Sequence, residues 1–223
     1  MIDAAGLTVI ERALASQGAS SDAILAAAVS ALRKRNAQGA VVDIGCGTAR
    51  FRDLVTDFVD RYIGVDIVRH GGLPDDVEFV AANVDTEALP LEAGCADVVV
   101  ALEVVEHLDH PRALFREAGR LCRPGGWLVV STPNQASVAN ALSLAIRGYF
   151  VSFGPLSYPV HRTALLPLDL VRLTREHGFG DESTEFSGRG RVPRTPWHYP
   201  RLLSRLMPRA CSDNVLVIAR RHA

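Results

Sequence analysis

Apolar positions recur along this chain in two rhythms. Within residues 1–37 they follow helical spacing and predict two helices, the second capped by Ser21-Asp22 and carrying Ile24, Leu25, Val29 and Leu32 on one face. From Gly39 the texture changes to short apolar runs that alternate with helical patterns. Val41 to Ile44, Tyr62 to Val65, Val77 to Ala82, Asp97 to Ala101 and Gly126 to Ser131 each read as a strand. Between them, Phe51, Leu54, Val55 and Phe58 mark a helix, and His110-Pro111 opens another through Leu121, followed by the turn Arg123-Pro124-Gly125. A further helix runs from Pro167 to His177 and stops at Gly178; Ser183 to Phe186 and Asn214 to Ala219 read as the last strands. Short apolar strands separated by helices imply an α/β protein with a mostly parallel sheet covered on both faces.

The first strand runs into a glycine turn, Asp43-Ile44-Gly45-Cys46-Gly47-Thr48-Ala49-Arg50. Glycines let backbone approach a ligand closely, and the helix start behind them adds a positive dipole end. A dinucleotide loop of the form G-x-G-x-x-G fails here, because Arg50 stands where its third glycine belongs. The acid ahead of the glycines suits a ligand bearing an ammonium group better than a pyrophosphate. Asp66, twenty-one residues after Gly45, ends the second strand, where a carboxylate can accept both ribose hydroxyls of an adenosine ligand. A tight turn without ligand and a cap for a following turn are the plainer alternatives for these two features.

Taken together, VVDIGCGTARF (41–51), YIGVDI (62–67), FVAANVDTEALPL (79–91), ADVVVALEVVEHLDHP (96–111) and LCRPGGWLVVSTPN (121–134) resemble the class I S-adenosylmethionine-dependent methyltransferases. The texture is similar to the ubiquinone-biosynthesis O-methyltransferases and related small-molecule or glycan O-methyltransferases. The resemblance implies a Rossmann-like fold: a seven-stranded sheet, mostly parallel with an antiparallel last strand, and helices on both faces. It implies that Asp43, Gly45, Cys46 and Gly47 surround the methionine part of S-adenosylmethionine, and that Asp66 binds the ribose with Ile67 against the adenine. Asn83, Val84 and Asp85 would flank the adenine edge, while Ala101, Leu102 and Glu103 would face the sulfonium end. Ala49 departs from the family, which usually has glycine there.

A hydroxyl acceptor needs a base near neutral pH, and histidine is the usual one. His107, just after the fourth strand, and His161, in the loop after the fifth, are the candidates, with structural roles as the alternative. Glu103, Glu106 and His107 fall within five residues and, with His161, would make an O/N-rich site for a divalent cation; capping and core contacts are the competing explanation. That pattern resembles the metal site of the small-RNA 2′-O-methyltransferases. An amide-methylating N-P-P-Y motif is absent, Ser131-Thr132-Pro133-Asn134 taking its place, which favours oxygen as the acceptor atom.

Composition sharpens the remaining picture. The 223 residues carry a net charge of -1, which argues against a general nucleic-acid binder. The average hides a division: residues 187–223 hold eight arginines against one acid, Asp213, a charge of +7, leaving -8 for residues 1–186. Residues 187–213 also hold Trp197-His198-Tyr199 and four prolines, so an anionic membrane surface or a phosphorylated acceptor is weighed against a solvated basic face. Ala136 to Tyr158 forms an insertion after the fifth strand, with an apolar helical face (Val138, Ala141, Leu142, Ala145, Ile146), the aromatic run 149–153, and Gly148 and Gly154 as hinges. It reads either as ordinary packing on the sheet edge or as a lid over an apolar, lipid-linked acceptor. Cys46, Cys95, Cys122 and Cys211 form no C-x-x-C pair, and the first residues lack a secretory pattern, so a reduced cytoplasmic protein, peripheral to a membrane at most, is expected. The expected organisation is N-terminal helices at 1–38, a cofactor-binding core at 39–135, a lid at 136–166 and a C-terminal part at 167–223. The expected function is O-methylation of a small, lipid-linked or sugar-linked acceptor. An RNA or protein methyltransferase and a non-catalytic binding module are the alternatives, and a nicotinamide oxidoreductase is the fold-level runner-up.

Overall fold

A computed structural model describes residues 8–16, 18, 20–187, 189–192 and 195–223. Residues 1–7 of the expected N-terminal region, and Pro193 and Arg194 of the basic segment, lie outside the described residues. Strands β1 (Gly39–Ile44), β2 (Val59–Asp66), β3 (Glu78–Ala81), β4 (Ala96–Leu102), β5 (Cys122–Pro133), β6 (Phe179–Ser187) and β7 (Asn214–Arg221) form one sheet in the order β3-β2-β1-β4-β5-β7-β6. The first five are parallel, and β7 inserts antiparallel between β5 and β6. The order reverses between β1 and β4, which opens a crevice at the carboxyl ends of these strands.

Helices α1 (Val9–Ala15), α2 (Asp22–Arg33), α3 (Arg50–Asp53), α4 (Pro111–Leu121), α5 (Val138–Arg147), α6 (Pro167–Glu176), α7 (Arg201–Leu206) and α8 (Pro208–Cys211) complete the chain. Alternate strand residues feed two cores. Val99 and Ala101 of β4 join Leu114, Phe115 and Leu121 of α4 and Leu170 of α6 on one face. Val98 and Val100 join Ile24, Ala28 and Leu32 of α2, with Phe51 and Val55, on the other. The expected coverage of both faces follows from this two-sided alternation.

Three local expectations are corrected. The helix expected through Phe58 is a single turn, α3, followed by turns at 54–58. There β2 begins early, pairing Val59 and Arg61 with Gly39 and Ala40, and the chain needs those residues as strand. The turn Arg123-Pro124-Gly125 lies inside β5 as a bulge: the register jumps from Ala96↔Cys122 to Val98↔Trp127, with Gly125 at φ 79°. Finally, β6 extends on both sides of Ser183–Phe186 because β7 offers a partner along its whole length.

Candidate functional site

The turn after β1 is left-handed at three alternating residues, Gly45 (φ 76°), Gly47 (φ 55°) and Ala49 (φ 58°). A Cβ on Gly47 would stand 1.9 Å from the Gly18 carbonyl oxygen, which accepts the Thr48 N–H at 3.2 Å. Gly18 therefore closes down on the turn, and only glycine fits at position 47 beneath it. Ala49 holds the left-handed geometry without glycine's freedom, at the position where the family resemblance leads one to expect glycine.

Asp66 closes β2. Its Oδ2 accepts the Gly47 N–H at 2.9 Å and its Oδ1 accepts the Ile67 N–H at 2.7 Å. These bonds fix the carboxylate at the mouth of the crevice and leave lone pairs for further donors. Asp43 is 4% exposed and accepts a short hydrogen bond from the Tyr62 hydroxyl. Burial pushes its carboxyl up to about 7; the Tyr62 bond opposes this and the Asp66 charge adds to it. Burial likewise pushes the Cys46 thiol above its usual range, so it lines the site as a thiol.

A cavity of about 390 Å³ opens at these strand ends, walled by Asp43, Gly45, Cys46, Asp66, Ile67, Asn83, Val84, Asp85, Leu102, Glu103, His107 and His161. Its size and its mixed polar and apolar walls fit a nucleoside-sized ligand. Of the residues singled out from the sequence, Gly47 and Ala101 are not in that wall; Gly47 positions Asp66 through its N–H, and Ala101 is packed in the core. Asp85 stands in the wall, but its carboxylate accepts the N–H groups of Asp109 (2.8 Å) and His110 (2.6 Å). It therefore fastens the loop entering α4.

At the opposite end, both histidines are held by backbone carbonyls. His107 Nδ1 lies 2.9 Å from Val160 O, and His161 Nδ1 lies 2.6 Å from Ser152 O. A carbonyl oxygen only accepts, so each Nδ1 carries a hydrogen and donates it, which leaves each Nε2 as the ring nitrogen outside that bond. The rings meet edge to face with centroids 4.9 Å apart. Burial is the chief cause that holds His107 below its ordinary pKa, against the Val160 bond, so it stays neutral at pH 7.

One ligand atom each from Glu106, His107 and His161 lie within 4.8 Å of one another. Glu103 does not join them. It has a left-handed φ of 57°, and its carboxylate turns to the Ser21 N–H at 3.4 Å. Glu106 is 1% exposed, accepts from Thr132 Oγ1 at 3.2 Å and is pushed up to about 8, chiefly by burial, so it holds its proton at neutral pH.

Three contributors escape sequence reasoning. Tyr62 reads as strand filler, yet it bonds Asp43. Gly18 is one glycine among 18 in the chain, yet it seals the turn. Arg12 lines the cavity from α1 with a side chain only 14% exposed and its Nη2 3.6 Å from Asp109. The one available signal is Thr8-x-x-Glu11, a capping box that marks where α1 starts.

A parallel sheet with β7 slotted in antiparallel, and a crevice at the ends of β1, β2 and β4, defines the Rossmann-like architecture of class I S-adenosylmethionine-dependent methyltransferases. The chain matches the family model of a methyltransferase domain over residues 18–183, and it belongs to that family. It is an enzyme with S-adenosylmethionine as methyl donor. The ubiquinone biosynthesis O-methyltransferase of Chromobacterium violaceum is 27% identical over 166 residues, covering 70% of this chain and 69% of that protein. The chain spans about two thirds of the length of such curated relatives. A crystal structure of a SAM-dependent methyltransferase from Archaeoglobus fulgidus superposes with a TM-score of 0.62 at 19% identity, covering 88% of this chain and 94% of that one. The 1,6-didemethyltoxoflavin-N1-methyltransferase of Burkholderia thailandensis, solved with its substrate and S-adenosylhomocysteine, gives 0.58 at 19% identity, covering 91% and 80%.

Proposed function

We propose that the chain methylates a hydroxyl oxygen of a small acceptor, lipid-linked or sugar-linked, with His107 and His161 as the residues that take up the hydroxyl proton. The observation that carries this reading is the pair of imidazoles in the cavity wall, each oriented by a backbone carbonyl that takes its Nδ1 hydrogen. S-adenosylmethionine supplies an already activated methyl group, so the protein's share is alignment, exclusion of water and proton acceptance. Asp66 and Ile67 would hold the nucleoside, and Gly45, Cys46, Leu102 and Glu103 the methionine part. The relatives named for ubiquinone biosynthesis support oxygen as the acceptor atom. The apolar face of α5 lies outside the cavity wall, so it does not itself enclose the acceptor.

The test is release of S-adenosylhomocysteine against a panel of phenolic, sugar-linked and lipid-linked hydroxyl compounds, with product analysis. Replacing both His107 and His161 by Ala is expected to lower kcat by roughly 10²–10⁴-fold while S-adenosylhomocysteine still binds. Methylation on nitrogen or carbon, or full activity in the double variant, overturns the reading.

A second reading has one specific observation behind it, the gathering of Glu106, His107 and His161 within 4.8 Å. A divalent cation held there would lower the pKa of a bound hydroxyl, and the carbonyl bonds on both Nδ1 atoms are the usual outer support of histidine ligands. It would have to displace the proton that buried Glu106 retains. Loss of activity on chelation, restored by magnesium or zinc, selects this version; unchanged activity selects proton transfer to the histidines alone.

A further inference from the structure

Helix α5 is inside out. Its buried residues are both polar, Asn140 and Ser143, whereas Val138, Leu142 and Ile146, one turn apart on a single stripe, are 44%, 52% and 79% exposed. The polar residues face inward because they have work there. Asn140 donates to Asn134 O at 2.8 Å and accepts from Val151 N at 2.7 Å, and Ser143 Oγ donates to Tyr149 O at 2.8 Å. Helix α7 repeats the inversion: Ser204 is its buried residue, while Leu202 and Leu206 are about 70% exposed.

The two helices share one end of the molecule. Asn134, at the entry to α5, donates to Arg209 O in α8 at 2.7 Å and to Ser212 O at 3.0 Å, and α8 follows α7 directly. The charge there has one sign. Residues 134–166 and 187–212 contain eight arginines and no Asp or Glu. Among the described residues, exposed Arg147, Arg201, Arg205 and Arg209 make no ion pair.

We infer that the outer faces of α5, α7 and α8 form a docking surface for an anionic lipid bilayer. A stripe of aliphatic residues fringed by unpaired arginines matches an interface that is apolar inside and negative at its headgroups. A second copy of the chain on a two-fold axis would set these arginines against one another. RNA would leave the leucines and isoleucine in water. No helix among the described residues is long and apolar enough to cross a membrane, so the contact is interfacial. The surface is also the back of the catalytic end: Asn140 holds Val151, and Ser152 beside it orients His161. An acceptor resident in the bilayer would therefore arrive next to the proposed proton acceptors. That consequence rests on the function proposed above. Docking itself is read without turnover, and either can fail alone.

The experiment is sedimentation of the full chain with phosphatidylcholine vesicles containing 30% phosphatidylserine, and with pure phosphatidylcholine vesicles. Binding is expected to the anionic vesicles alone and to weaken with added salt. Replacing Arg201, Arg205 and Arg209 together by Gln is expected to lower the partition coefficient roughly 100-fold. The pair Leu142→Asp and Ile146→Asp is expected to lower it at least tenfold, with S-adenosylhomocysteine affinity unchanged as the control for folding. Three results overturn the inference: no partitioning of folded protein, equal partitioning of the variants, or a stable dimer in ultracentrifugation that the Asp pair dissociates.

Discussion

Replacing Asp43 by Asn should remove a pH dependence built into the end of β1. Asp43 is buried, bonded to Tyr62 and pushed from 3.8 up to about 7, chiefly by burial. In the unfolded chain the same carboxyl ionises near pH 4; in the folded chain it keeps its proton until about pH 7. Between those limits the folded state binds the extra proton, so this residue's contribution to stability is complete below pH 4 and is lost as pH rises to 7. The displacement corresponds to roughly 4 kcal/mol across that window, a large share of a domain's usual margin. Asn keeps the shape and an acceptor for the Tyr62 hydroxyl but has no proton to lose. The measurement is urea unfolding of both proteins, free of cofactor, from pH 4.5 to 8.5. The advantage of Asp43→Asn over the parent should grow by several kcal/mol toward high pH, because every other titrating group is common to both. A difference that stays constant within about 1 kcal/mol would refute the claim that burial governs this carboxyl.

Asp66→Ala should weaken S-adenosylhomocysteine binding at least tenfold by calorimetry, since the carboxylate anchored by Gly47 and Ile67 is lost; unchanged affinity would remove Asp66 from the cofactor site. Gly47→Ala, with its Cβ aimed at the Gly18 carbonyl, should cost more than about 1 kcal/mol of stability, and an unchanged melting temperature would contradict the packing of that segment. Asn140→Leu should cost roughly 1–3 kcal/mol by leaving Val151 N without its acceptor and removing one of the two donors to Asn134 O, even though it raises helix propensity and apolarity. A more stable variant would mean that α5 can turn its apolar stripe inward.

The parts of the fold written in short-range patterns are legible in the sequence. Strand cores such as Val98 to Ala101 carry apolar residues on both faces, which only a sheet covered on both sides requires. The turn at 45–49 announces its left-handed backbone through its glycines, and the position of Asp66 follows from one βαβ unit. Contacts across long separations were not readable. Nothing near Tyr62 says that its hydroxyl will meet Asp43, and nothing near Gly18 says that a loop thirty residues away will press on it. The grouping of Glu106, His107 and His161 without Glu103 depends on one left-handed residue and a 3₁₀ turn at Val105–His107, details finer than an E-x-x-E-H spacing can specify.

Helix α5 shows why a correct pattern can still leave function open. The stripe through Val138, Leu142 and Ile146 was legible as a helical face, and helices usually turn such a face toward the core. Periodicity fixes the angle between the two faces but not which one points inward. Here the inner direction is set by hydrogen bonds that Asn140 makes to the backbone groups of Asn134 and Val151 and that no aliphatic side chain can replace. Once those bonds decide the orientation, the aliphatic face is left exposed. The acid-free, arginine-rich sequence on either side is the reason the docking partner proposed for this face is a negatively charged one. The same inversion in α7, from a segment more than fifty residues away, makes the outward stripe a property of this whole end of the molecule and not an accident of one helix.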